Sequence, residues 1–364
     1  MKRLIAVLIM ISILVFTISA AADKKSGKYT YRVLEDNTAF IIKCSITSAS
    51  TITVPAKIGG YKVSKVSSSA FQYASCKKLV FSEGITELVG TGSLRTKEIV
   101  IPSSMISMGD FGEYISFNDS TDLEKITVHK DNPVFMSEND CLINKQTQEL
   151  LYYPVAAKTQ KIQIPYDVKS IARYAFYGVK YLEEVTFSEG VESISEYNFC
   201  KCENLKSINL PSTLSMADYN GKIFRDCPEM TSITVPYGNR HLKIDNNALI
   251  DLKSHKLIYM PQKAKVKTYI VPRNVKDIEK DAFEGCVYLV NVKIPGTVEI
   301  IESHAFANCK NLKNVVMEKG IKYISYHAFI DSPKIKDLQY PVGAVEFYAT
   351  PSPYATEDDL KYGN

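Results

Sequence analysis

Tryptophan is absent from this chain, and histidine occurs only five times in 364 residues. Few imidazoles leave few candidates for acid–base work, and the familiar catalytic frames are missing too. There is no Gly-x-Ser-x-Gly elbow, no His-Glu-x-x-His, no phosphate loop and no acidic calcium loop. Excess charge is also scarce: 44 basic against 40 acidic residues give a formal net charge of +4, with no Lys/Arg block, which argues against a nucleic-acid partner. None of the eight cysteines stands in a metal-type Cys-x-x-Cys pair. No cofactor and no bound metal is therefore expected. What the chain does have is 23 tyrosines, residues that bring both apolar area and a hydroxyl to a contact surface or to the solvent edge of a strand.

Long apolar runs are missing as well, with one exception. Lys2 and Arg3 open the chain, Leu4 to Ile18 is almost unbroken apolar, and Ser19-Ala20-Ala21-Ala22 closes it with small residues. That is the three-part layout of a secretory signal peptide over residues 1–22, and its apolar core is short for a membrane span. An exported protein with no stable membrane span after cleavage is expected, secreted or held at the cell surface. Losing Lys2 and Arg3 lowers the formal charge from +4 to +2.

The rest of the chain repeats itself. Residues 304–313 read HAFANCKNLK, and 23 positions later the chain reads HAFIDSPKIK. Phe176, Phe199 and Phe224 are separated by 23 and 25 residues, and Phe283, Phe306 and Phe329 by 23 each. Phe71, Leu94 and Phe117 keep the same step in a degraded context, and between triplets the step widens to 59. A second ladder of Ile-Pro, Leu-Pro and Val-Pro pairs (Ile164-Pro165, Leu210-Pro211, Val271-Pro272, Ile294-Pro295) closes short alternating strands such as LKSINLP. One such unit cannot bury its apolar edge alone. Stacked on its neighbours it can, with equivalent side chains about 4.8 Å apart.

Phrases such as DAFEGCVYLVNVKIPGTVEIIESHAFANCKNLKNV resemble the leucine-rich repeats of the BspA type, a family of secreted and surface proteins. The likeness runs over roughly residues 30–341 and is sharpest from 164 onward. It implies a β-rich solenoid with little helix and adhesion or host-contact roles. The expected architecture is a leucine-rich repeat array of about nine 23-residue coils over residues 51–341. An N-terminal β-hairpin cap over 23–50 precedes it and a flexible tail over 342–364 follows it. Two inserted hairpin segments, 129–164 and 236–271, match each other at a separation of 107 (Tyr152 with Tyr259, Pro154 with Pro261). They either project from one face or widen the coils and continue the sheet.

Two positions in the repeat carry the candidate sites. Cys202, Cys227, Cys286 and Cys309 each fall three residues after an anchor Phe, in a slot that elsewhere holds Val179 and Ser332. They are expected to join the Phe ladder as small buried side chains and free thiols, a bridge between neighbouring coils being the alternative. Tyr174, Tyr197, His304 and His327 fall two residues before their anchors and are expected to form an exposed stripe for binding. Glu83 and Glu189, in a recurring Ser-Glu-Gly turn, read as solvated. The function expected is a non-catalytic binding or adhesion protein for an extracellular protein or glycan. A passive spacer or surface-layer component is the second reading and a glycan hydrolase the third.

Overall fold

The computed structural model describes residues 22–90, 94–109, 120–215, 223–336 and 338–347. The expected leader, Phe117 and the chain beyond residue 347 lie outside those residues.

Each coil lays down two short strands. In the best-formed region, Glu184–Thr186 runs along one side, the chain turns at Ser188-Glu189-Gly190, and Ser193–Ile194 runs along a second side. A tight turn then carries Phe199 into the interior and returns to Ser207–Asn209, directly beside Glu184–Thr186 in parallel register. The strands here run two or three residues before the chain turns, and alternation points every second side chain inward. Thus Val185 and Ile208 are buried and paired across the rung. The result is a stack of parallel rungs on two sides, with the anchor turns forming the third edge. Among the described residues the single helical element is a 3-10 turn, Ser68–Phe71.

The stack comprises about 12 turns, not nine. The difference lies in the inserts, which do not project. Phe135–Glu138, Cys141–Asn144 and Glu149–Tyr152 form an antiparallel meander whose last strand pairs in parallel with Ser170–Ile171 of the next coil. Leu242–Asp245, Ala248–Asp251 and Lys256–Tyr259 repeat the arrangement and hand over to Asp277–Ile278. The amino-terminal cap is built the same way. Lys24–Ser26, Tyr29–Val33 and Thr38–Cys44 are antiparallel, and the third strand pairs in parallel with Tyr61–Ser67. Asn37, Gln148 and His255 take left-handed backbone at matching places in the three meanders. The chain is therefore three blocks, each opened by a meander and continued by parallel coils. The widened intervals contain anchor positions that no Phe marks: Tyr153 and Met260, each 23 residues before the next Phe, are 1% exposed.

The regular step also fails in the first block. Ser48 pairs with Ser75, Ser75 with Arg95 and Glu98 with Lys125, so successive rungs are 27, 20 and 27 residues apart. At the other end, Val345–Phe347 pairs with Tyr323–Ser325, so the sheet runs past the boundary expected at 341.

The interior is a column of rings. Tyr153, Phe176, Phe199 and Phe224 stack at 5.1, 5.1 and 6.0 Å between centroids. Phe283, Phe306 and Phe329 stack at 4.7 and 5.1 Å, the last of them half-buried. A fully buried ring contributes on the order of 1.5–3 kcal/mol over an exposed one, and a stacked pair about 0.5–1.5 kcal/mol more. Beyond Phe224 the next ring is Tyr259, stacked at 5.1 Å, and Tyr269 meets Phe283 at 5.3 Å with its plane tilted.

Polar side chains hold the register outside. Lys161 with Glu184, Lys206 with Glu183 and Lys322 with Glu299 pair across adjacent rungs at 2.6–3.0 Å. Such exposed pairs contribute about 0–1 kcal/mol each. Glu83 and Glu189 are exposed turn residues, as expected, and each also bonds the following coil. Glu83 accepts from the backbone N–H and the hydroxyl of Ser103 at 2.9 Å, and Glu189 likewise from Ser212 of the following coil. These bonds hold the Glu83 carboxyl below its ordinary pKa.

Candidate binding edge

The third side of the stack is the edge formed by the anchor turns. Turning a chain through so tight a corner requires left-handed backbone, and the repeat uses it twice per turn. Two residues before the anchors stand Tyr174, Tyr197, Asp281 and His304, with φ between 58° and 61°. Two residues after them stand Gly178, Lys201, Asp226, Gly285, Asn308 and Asp331, with φ between 55° and 67°. A side chain other than Gly is strained at such angles, yet most of these positions carry one. The corner thus throws two columns of side chains outward along the edge.

The column before the anchors pairs as its spacing predicts. Tyr174 and Tyr197 stack at 5.0 Å with ring planes 9° apart. Arg173 lies 5.2 Å from both ring centroids and reaches Glu196 at 3.2 Å. Tyr177 meets Tyr174 edge-on at 5.6 Å. His304 and His327 stack at 5.6 Å with planes 5° apart, and Ser303 Oγ lies 2.7 Å from His304 Nδ1. Burial lowers the His304 pKa from its ordinary value. All four candidates are half-buried, less exposed than the stripe anticipated from sequence. Nor is the stripe continuous. In the third block its slot holds Asp281, which is buried and lies 3.9 Å from Arg225.

The cysteine slot is buried and holds free thiols, as expected, and it also makes a hydrogen bond. The Cys202, Cys227 and Cys309 thiols are buried and lie 3.1, 2.7 and 3.0 Å from the carbonyl oxygens of Phe176, Phe199 and Phe283. Each S–H donates to the anchor carbonyl of the preceding coil. Ser332 does the same to Phe306 at 2.7 Å. Where the slot holds Cys or Ser it gains a donor as well as volume, and the alternation of Cys with Ser was the signal for it; Val179, also fully buried, fills it by volume alone. All eight cysteines are free thiols.

What sequence reasoning missed is the column after the anchors, because its occupants (Gly, Lys, Asp, Gln, Asn) share no chemistry. It frames a groove of about 560 Å³ in the second and third blocks, bounded by Lys201, Asp226, Gln262, Glu284, Gly285 and Asn308. Burial, and then Asp281, raise the Glu284 pKa. Among the described residues no cluster of His, Cys, Asp and Glu is arranged to hold a metal ion, and no helix is long and apolar enough to cross a membrane.

A parallel solenoid with one anchor ring per turn and a side-chain-bearing edge is a leucine-rich repeat protein of the β-rich kind. The model of the BspA type leucine-rich repeat region, in six copies, matches residues 145–270 and 262–349, and the chain belongs to this family. No curated protein shows significant sequence similarity to it. A leucine-rich cell surface protein from Faecalibacterium prausnitzii A2-165 is 20% identical over 90% of each chain, with a TM-score of 0.57. A leucine-rich repeat protein from Eubacterium ventriosum is 19% identical over 91% of this chain and 96% of its own, with a TM-score of 0.43. The pneumococcal vaccine antigen PcpA is 16% identical over 90% and 93%, with a TM-score of 0.35. At these identities the likeness is one of fold.

Proposed function

We propose that this chain is an exported, non-catalytic binding protein that engages an extracellular protein or glycan along its anchor-turn edge. The observation that carries this reading is the pairing of rings in the column before the anchors. Tyr174 on Tyr197, with Arg173 against both, and His304 on His327 are flat polar-rimmed surfaces presented at rung spacing. Aromatic and arginine side chains on a rigid backbone lose little entropy on contact, which is why they dominate binding surfaces. The apolar, small-residue-terminated leader supports export, and the family to which the chain belongs supports a repeat-based surface role.

The test is capture of host and bacterial surface components by the full chain. The comparison is with a variant carrying Tyr174→Ala, Tyr197→Ala, His304→Ala and His327→Ala. Loss of the captured components with an unchanged melting curve is the expected result. Undiminished capture by the fourfold variant would overturn the assignment of the edge.

A further inference from the structure

The groove in the edge is built by two features of the repeat. Its position in the column after the anchors is Gln262, then Gly285. Gln262 follows Pro261 and, unlike Asp226 before it and Asn308 after it, does not take left-handed backbone. Gly285 does, but has no side chain to project. The Gln262 amide lies against Gly285, 3.0 Å from where a Cβ there would stand, so the stretch between Asp226 and Asn308 carries one side chain in place of two and is left as a depression. The first insert repeats the pattern with Pro154-Val155 followed by Gly178, whose backbone is also left-handed.

The chemistry of the walls narrows the occupant. Lys201 and Lys310 border the same groove as Glu203, Asp226 and Glu284, so a polyanion or a polycation entering it meets like charge. The remaining polar groups are the two primary amides, Gln262 and Asn308. Asn308 Nδ2 donates to Glu284 Oε1 at 3.4 Å, giving a donor and an acceptor side by side. Amides and carboxylates in that arrangement match neighbouring hydroxyls, each of which both gives and accepts a hydrogen bond. Pro228, Gly285 and Val287 supply apolar patches between the polar groups, suited to the C–H faces of a saturated ring. The volume, about 560 Å³, is of the size that small-ligand sites occupy.

We infer that this groove is a binding site for a neutral, polyhydroxylated chain, that is, a glycan without charged substituents. The inference rests on the reading of the edge as the contact surface and specifies the ligand class of one part of it. Glu284, held partly out of water, accepts a ligand hydroxyl in place of the hydration it lacks. Gln262 and Asn308 set the register along the chain.

Isothermal titration of the full protein with maltohexaose, cellohexaose, mannohexaose and N-acetylchitohexaose tests it. Hexagalacturonate and decalysine serve as the charged counterparts. At least one neutral hexasaccharide is expected to bind. Val287→Trp, which fills the groove from an exposed position, is expected to weaken that binding at least tenfold. The double variant Gln262→Ala/Asn308→Ala should weaken it about fivefold or more. Tyr237→Ala, on a fully exposed side chain away from the groove, should leave it unchanged. All variants are compared at matched melting midpoints. Absence of binding by all four neutral sugars, binding unaffected by Val287→Trp, or preferential binding of hexagalacturonate or decalysine would each overturn the inference. The two readings fail separately. Capture of surface components lost in the fourfold edge variant, without any sugar binding, removes only the groove. Sugar binding abolished by Val287→Trp, with capture untouched in the fourfold variant, removes only the stripe.

Discussion

Cys309 offers the sharpest test of how the repeat is held together. Its side chain is fully buried and its S–H donates to the Phe283 carbonyl at 3.0 Å. Two accounts of the slot give opposite orders. If the slot needs only volume, Cys309→Val, which supplies the side chain found at Val179, should be the mildest replacement and Cys309→Ser a costly polar burial. If it needs a donor, Ser should be mildest. The bond is weak, about 0.5–1 kcal/mol for a thiol donor. Deleting the sulfur leaves a small cavity worth about 1–2 kcal/mol. Cys309→Ala should therefore cost about 2–3 kcal/mol, Cys309→Val about 1–2 through the lost donor and the added methyl, and Cys309→Ser less than about 1. Ser332 is the internal control. Its hydroxyl donates to the Phe306 carbonyl and accepts from the Cys309 N–H at 3.0 Å, so Ser332→Ala strands a buried N–H and should cost about 2–3 kcal/mol. Because an array can unfold in parts, the assay is urea-dependent hydrogen exchange of amides between residues 283 and 329, supported by circular dichroism. A Val variant as stable as the Ser variant, or more so, would refute the donor account.

Three further expectations follow from other sites. Phe306→Ala removes a ring packed on both sides and should cost about 4–6 kcal/mol, against clearly less for Phe329→Ala, whose ring is half-buried and has one described stacking neighbour; equal losses in denaturant melts would contradict a continuous column. Burial and then Glu279 raise the Glu302 pKa from 4.5 to about 7. Between those values the unfolded chain is ionised while the folded chain keeps its proton, so stability should fall as pH rises through that window and level off above it. Discounted for partial exposure, the loss is about 1–2 kcal/mol, and Glu302→Gln should remove that part of the difference between melts at pH 5 and 8. Burial pushes the Cys200 and Cys309 thiols up to about 12, whereas Cys76 is only half-buried. With a thiol reagent at pH 8 the native protein should release Cys76 first, and all eight thiols on unfolding; a missing pair in denaturant would mean a disulfide.

The anchors and strands were legible because a repeated Phe and a repeated Ile-Pro leave the same mark in every coil, and stacking forces those marks into contact. The long coils were misread where the mark changed. Tyr153 and Met260 fill the anchor position with other large apolar side chains, so an interval of 59 looked like an insertion instead of two turns of unequal length. In the first block, rung steps of 27 and 20 keep the strands in register while shifting the turns, which a search for one period cannot follow. The stacking of Tyr174 on Tyr197 and of His304 on His327 followed directly from their shared slot. The groove did not, because it arises from a proline before Gln262 and a missing side chain at Gly285. Both are negative features that only the neighbouring ridge makes visible.

The meanders that open each block also partition the interior. Buried side chains group into clusters spanning residues 31–152, 141–259 and 248–328, overlapping only at the meander strands. Stretched between its ends, the protein should not unravel coil by coil. It should give way in three sawtooth events of comparable length, each releasing one whole block and leaving the next intact behind its antiparallel lid. An array built this way yields slack in a few large, self-limiting increments while the surviving blocks keep their fold.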